Sequence, residues 1–158
     1  MPAKDDMALP YFRILSITLV VVASCLSHLP LLSNAQEAGT ATYYTPPYTP
    51  SACYGYEEQG TMIAAASDEI WNDGGACGQM YQVTCVSGTN EGTPYPCWGS
   101  GTVEIKIVDH CPAGCRGTID LSQEAFASIA DPDSGVINIS YQQYVPYIIH
   151  IIRSIHLL

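Results

Sequence analysis

Charge is scarce in this chain, and positive charge most of all. Only 13% of its 158 residues are charged, with 5 Lys and Arg against 15 Asp and Glu, a formal net charge of −10. Binding to nucleic acid needs clustered cations against the phosphates, so a nucleic-acid partner is not expected. No polybasic stretch is present to hold an anionic lipid surface. The acids are dispersed, as Glu57-Glu58, Asp68-Glu69, Asp109, Asp120 and Asp131/Asp133, which describes a solvated surface rather than an acidic tail. There is no phosphate loop or dinucleotide fingerprint, no Gly-x-Ser-x-Gly elbow and no internal repeat. Nothing in the sequence calls for a cofactor, and the length leaves room for one domain plus a targeting segment.

What is there begins with a leader. Lys4 and Arg13 precede an apolar run from Ile14 to Leu32, and Ser33-Asn34-Ala35 places small residues at the −3 and −1 positions of a cleavage site. This reads as a secretory signal peptide over residues 1–35, with Met1 or Met7 as the start. The run approaches the length of a membrane span. No basic stop-transfer cluster follows it, so secretion to the extracellular space is expected, with no stable membrane insertion after cleavage.

Cys25 falls in the leader. Cys53, Cys77, Cys85, Cys97, Cys111 and Cys115 remain, an even number in a small secreted domain, and read as a disulfide framework whose connectivity the spacing leaves open. His110-Cys111 followed by Cys115 has the outline of a zinc half-site. The domain offers no second pair to complete it, and His150 and His156 lie in the C-terminal tail. In an oxidising compartment a disulfide is the direct reading, and no metal is expected.

The period of the apolar residues is that of strands. Thr102–Val108 alternates Val103, Ile105 and Ile107 against Glu104 and Lys106. Gly39–Tyr44, Thr61–Ala66, Met80–Val86 and Val136–Gln142 read as further strands. Two short helices are expected. One is capped by Ser67, with Ile70 and Trp71 as its buried face. The other spans Ser122–Ala130, with Ala125, Phe126 and Ile129 on one side. Many short strands between Gly/Pro turns indicate a small β-barrel. Asn138-Ile139-Ser140 is a glycosylation sequon within the last strand. Tyr144–Leu158 has no acid and no glycine and is short for a membrane span. It reads as an atypical apolar tail outside the domain.

Val108–Ser122 concentrates the chemistry. Asp109 and Asp120 flank a tight turn bracketed by Cys111 and Cys115. Two acids across a cleft can serve glycoside hydrolysis, one as acid and one as base. Asp109 can instead pin the turn, and Asp120 can accept backbone N–H bonds ahead of the helix. Tyr43, Tyr44 and Tyr48 offer either a sugar-stacking platform or core filling.

Taken together, GTATYY at 39–44, ASDEIWNDGGACG at 66–78, CWGSGTVEIKIVDHCPAGCRGTIDLS at 97–122 and VINISYQ at 136–142 resemble the plant natriuretic peptide-like proteins. These are also called family-45-endoglucanase-like domain proteins, relatives of the first domain of expansins. The resemblance covers residues 36–143. It implies a mainly β fold, a disulfide-stapled six-stranded double-psi β-barrel, with pairs Cys53–Cys77, Cys85–Cys97 and Cys111–Cys115. It places a ligand groove on Thr42, Asp109 and Asp120, with Tyr43 beside Thr42. The related endoglucanases need a second Asp on the first strand as base, and here that strand reads Thr42-Tyr43-Tyr44. The resemblance therefore implies a non-enzymatic, monomeric extracellular protein acting in water and solute homeostasis through a cell-surface receptor. The alternative it implies is a cell-wall polysaccharide binder or weak glycoside hydrolase using the same groove.

Overall fold

The computed structural model describes residues 36–111 and 114–144. The expected leader and its start site lie outside the described residues, as does the expected tail of 144–158 except for Tyr144, which instead ends the last strand, paired with Met80. Six strands follow in chain order: β1 Glu37–Tyr44, β2 Ile63–Ala66, β3 Met80–Gly88, β4 Thr102–His110, β5 Ile119–Ser122 and β6 Ile137–Tyr144. Helix α1, Asp68–Trp71, follows β2, and helix α2, Gln123–Ile129, follows β5. The strands close into a barrel in the order β1-β5-β2-β4-β3-β6. β1 with β5 and β2 with β4 are parallel, and the other four pairings are antiparallel. Closure leaves no free sheet edge, which a short-stranded domain would otherwise have to protect.

The alternating apolar residues meet inside. Ala41, Val83, Ile105, Ile107, Ile119, Leu121, Ile137 and Ile139 are buried, and α2 adds Ala125, Phe126 and Ile129 to the same core. Ser122 starts α2 by accepting a hydrogen bond from the Ala125 amide. Such a cap satisfies one of the N–H groups that the first turn leaves without a partner.

Several local expectations change. β1 begins two residues before Gly39 and β4 runs two residues beyond Val108, so Asp109 lies within a strand rather than in the turn after it. Ile70 and Trp71 are half-buried, not buried. Helix α1 is a single turn, and Trp71 stacks flat on the His110 ring, with centroids 4.6 Å apart and planes at 14°. Ser67 occupies the cap position of α1, but its side chain makes no cap bond.

Three disulfides join Cys53–Cys77, Cys85–Cys97 and Cys111–Cys115, spanning 24, 12 and 4 residues of sequence. The first ties the loop after β1 to the turn before β3. The second closes the loop between β3 and β4, and the third clamps the turn between β4 and β5. Asn138 sits in β6, where its Nδ2 donates to Ser87 Oγ and to the Gly88 carbonyl. A glycan on that nitrogen would take one of the two hydrogens that now bridge β6 to β3.

Candidate functional site

Strand register builds the site. Thr42 pairs with Asp120, Asp120 with Ala65, and Ala65 with Asp109. Residues directly opposite in neighbouring strands face the same side of a sheet. Thr42, Asp120 and Asp109 thus share one face of the barrel wall, with only the small Ala65 between the two acids. Two strand spacings put the acids' backbones about 10 Å apart.

The row depends on an irregularity. The β2–β4 register shifts so that Ala64 pairs with Ile107 and Ala65 with Asp109, leaving Val108 out of the ladder. Strict alternation from Ile105 and Ile107 would send Asp109 into the core. The extra residue reverses the parity, buries Val108 as well as Ile107, and turns Asp109 outward.

Thr42 Oγ1 donates to Asp120 Oδ1 at 2.6 Å. Burial raises the Asp120 pKa above the ordinary carboxyl range, with the Thr42 bond pulling more weakly the other way. Asp120 therefore does not bond to the α2 amides; its partner is the strand opposite. Asp109 Oδ1 accepts from the Ala52 amide at 2.8 Å and from the His110 amide at 2.9 Å. What Asp109 pins is the loop after β1, rather than the Cys111–Cys115 turn.

Tyr44 is the next outward-facing residue after Thr42. Its hydroxyl is buried and lacks a hydrogen-bond partner among the described residues. Burial, then the charges of Asp109 and Asp120, raise its pKa and keep the phenol protonated. Tyr48 meets it edge-on at 5.1 Å and donates to Glu124 Oε2 at 2.5 Å. Desolvation and that bond push the Tyr48 hydroxyl up to about 12.

Tyr43 points the other way, its ring 4.9 Å from that of Phe126. It is half-buried and borders the cleft as well. Parity along β1 puts Tyr44 on the face of Thr42, while Tyr43 is the tyrosine that borders the cleft.

An open cleft of about 480 Å³ runs beside this row, bordered by Thr42, Tyr43, Asp120, Cys111, Cys115 and Arg116. Cys111, Cys115 and Asp120 lie close enough together to hold a cation. Both sulfurs are consumed in their mutual disulfide, so no thiolate is available as a ligand. His110 Nε2 is 2.7 Å from Asp68 Oδ1, and its ring is stacked on Trp71. No serine completes a nucleophilic triad with it among the described residues. The site is thus one half-buried acid held by a threonine hydroxyl, with Tyr43 at the border of its cleft, and a second acid fixed by two amides on the same face. Such an array suits a ligand rich in hydroxyls.

Gly117 keeps this geometry tight. A Cβ at that position would lie 2.9 Å from the Ile119 carbonyl and 2.9 Å from both the amide and Oγ1 of Thr42. Gly117→Ala must push β1 away from β5 where Thr42 meets Asp120. We expect a loss of about 1–3 kcal/mol, the range for overpacking a close-packed site, measured by urea unfolding. Stability equal to wild type would mean that β1 and β5 tolerate separation here.

A protein-family profile described as lytic transglycolase matches residues 63–141. An EG45-like domain containing protein from Citrus jambhiri is 60% identical over 115 residues, 72% of this chain and 87% of that one. EG45-like domain containing protein 2 from Arabidopsis thaliana is 39% identical over 125 residues, 79% and 91% of the two chains. Among solved structures, the apo expansin of Clavibacter michiganensis gives a TM-score of 0.53 at 27% identity, over 71% of this chain and 52% of that one. A mutant of that expansin solved in complex with cellohexaose gives the same TM-score and identity. The barrel order, its two parallel pairs and these likenesses define an expansin-like double-psi β-barrel. Within that class, the chain belongs to the EG45-like domain containing proteins.

Proposed function

We propose that this is a secreted, extracellular expansin-like protein that recognises a cell-wall polysaccharide in the Asp120 groove and does not hydrolyse it. One observation carries the reading. The residue paired with Asp120 across the β1–β5 ladder is Thr42, which donates a hydrogen bond to it. Inverting hydrolysis needs a free carboxylate base facing the acid across the bond to be cut. Asp109, the other acid on this face, accepts from two amides through Oδ1 and is not placed across a bond from Asp120 by the β1–β5 pair. The cellohexaose complex of the Clavibacter expansin supports the ligand class.

A second reading rests on size. The EG45-like relatives are matched over 87% and 91% of their own lengths, so a single barrel accounts for most of each of them. A single barrel is also the form of the mobile protein acting through a cell-surface receptor in water and solute homeostasis, the role the sequence resemblance implies.

Two assays on the secreted protein separate the readings. One measures binding and reducing-sugar release on cellulose, glucan and xylan. The other measures swelling of plant protoplasts, which carry no wall. Polysaccharide binding without sugar release is the expected result. Sugar release that depends on Asp120 would overturn the non-hydrolytic claim, and swelling without any polysaccharide binding would transfer the function to the receptor reading.

A further inference from the structure

We infer that the barrel wall opposite Asp120 carries a docking face for a second protein, one that offers an apolar side chain ringed by Lys or Arg. The face centres on the Cys85–Cys97 bridge. It is separate from the Asp120 groove, because β3 is the third strand from β5 either way round the barrel, through β2 and β4 or through β1 and β6.

Local structure turns apolar side chains outward here. Cys85 is buried near the end of β3. The β3–β6 register then shifts, so that Cys85 pairs with Ile139 and Ser87 with Asn138, and Val86 is left out of the ladder. Such a bulge re-aims a side chain, and Val86 is 60% exposed. The disulfide holds the Cys85 and Cys97 Cα atoms 5.6 Å apart, which brings the neighbours of both cysteines onto one region of surface. Trp98 follows Cys97, and its Nε1 donates to the Ala127 carbonyl of α2, leaving the ring 46% exposed. Tyr95, two residues before Cys97, is 92% exposed. A cleft of about 330 Å³ opens here, bordered by Val86, Ser87, Pro94, Tyr95, Pro96 and Cys97. Clustered exposed apolar groups mark contact surfaces, and aromatic residues are enriched in them.

The face is built before any partner arrives. Thr89 Oγ1 donates to the Val136 carbonyl at 2.9 Å, and Asn90 Nδ2 to the Ser134 carbonyl at 3.1 Å. The Asp131 amide donates to the Pro96 carbonyl at 2.8 Å. Pro94 and Pro96 fix the backbone on both sides of Tyr95. An aromatic side chain on a fixed backbone has little freedom left to lose on binding.

Charge names the partner. The same bonds bring Glu91, next to Asn90, and Asp133, next to Ser134, to one rim, and set Asp131 beside Pro96. The two cations among the described residues lie elsewhere. Lys106 pairs with Met80 at the other end of β3 and donates to Gln59, and Arg116 precedes β5. An apolar cleft rimmed by uncompensated acids complements an apolar anchor flanked by cations. A second copy of this chain, with its net charge of −10, would set like charges against this rim, and a neutral glycan would leave the rim charges unanswered.

The test titrates the full chain by calorimetry with three end-blocked peptides, Lys-Phe-Lys-Leu-Lys, Glu-Phe-Glu-Leu-Glu and Lys-Gly-Lys-Gly-Lys. The first should bind at least about tenfold more tightly than either of the others, and more weakly as salt is added. Tyr95→Ala and Val86→Ser should each remove most of that preference. Glu91→Gln with Asp133→Asn should lower the affinity and flatten its salt dependence. Tyr95 is exposed, so Tyr95→Ala should melt with wild type and keep wild-type affinity for cellohexaose. No binding of the first peptide, equal affinity for all three, or full affinity in Tyr95→Ala would overturn the docking face. A lower melting temperature for Tyr95→Ala would mean that another part of the chain covers Tyr95. A dimer in sedimentation that Tyr95→Ala breaks would assign the face to a second copy, and loss of cellohexaose binding in that variant would assign it to a glycan. Each of these three results would overturn the proposal as well.

Discussion

Phe126→Ala should cost about 3–5 kcal/mol, the usual range for emptying an aromatic site in a close-packed core. Phe126 is fully buried on α2, between the apolar wall of the barrel and the ring of Tyr43 on β1. Its removal leaves a cavity that a disulfide-stapled barrel is poorly placed to collapse, since two bridges fix the loops at either end of β3. A domain of this size holds about 5–15 kcal/mol in total, so the variant should fold in poor yield and unfold at much lower urea. Phe126→Leu keeps much of the volume and should cost about 1.5 kcal/mol or less. The comparison separates packing from any specific need for an aromatic partner to Tyr43. A midpoint shift for Phe126→Ala no larger than that of Phe126→Leu would show that the site repacks, and would remove α2 from the elements that hold β1 in place.

The barrel was legible in the sequence wherever one residue faces in and the next faces out. Val103, Ile105 and Ile107 announced β4, and Ile137, Ile139 and Tyr141 announced β6, because a half-buried strand repeats every two residues. What alternation cannot carry is an extra residue. The bulge at Val108 changes no composition, yet it decides whether Asp109 meets the core or the groove. The same holds for strand partners. That Thr42 faces Asp120 follows from β1 lying parallel to β5, a pairing across 78 residues that no local pattern encodes. The resemblance supplied Thr42, Asp109 and Asp120 as groove residues. The structure supplied their division of labour, with Asp120 held by a hydroxyl, Asp109 accepting from Ala52, and Tyr43 at once bordering the cleft and packing on Phe126. Ser67 shows the converse. Its position before an acidic turn is a good helix cap by sequence, but in α1 the hydroxyl makes no cap bond.

Asp120→Asn should weaken cellohexaose binding roughly tenfold to a hundredfold and at the same time raise stability at neutral pH. The first half follows from losing an ionised acceptor, since hydrogen bonds to charged groups are worth about 1.5–3 kcal/mol. The second follows from linkage. Burial raises the folded pKa of Asp120 above its ordinary value of 3.8. Between the two values the folded chain binds more protons than the unfolded one, so wild-type stability falls as pH rises through that window. Below 3.8 the side chain is protonated in both states and the penalty disappears. Asn never ionises, and its Oδ1 can still accept from Thr42. The variant should therefore melt above wild type at pH 7, with a gap that narrows on acidification and closes near pH 3. Thermal unfolding of both proteins across pH 3–7, paired with cellohexaose titration at pH 7, tests the two halves together. A gap that stays constant with pH would mean that Asp120 carries no burial penalty. A variant that binds as wild type does would mean that the charge, though buried at the cleft, takes no part in recognition. If both halves hold, the groove keeps an acid that costs the fold stability at neutral pH, and retention of such an acid is explained by the ligand it meets rather than by the barrel it sits in.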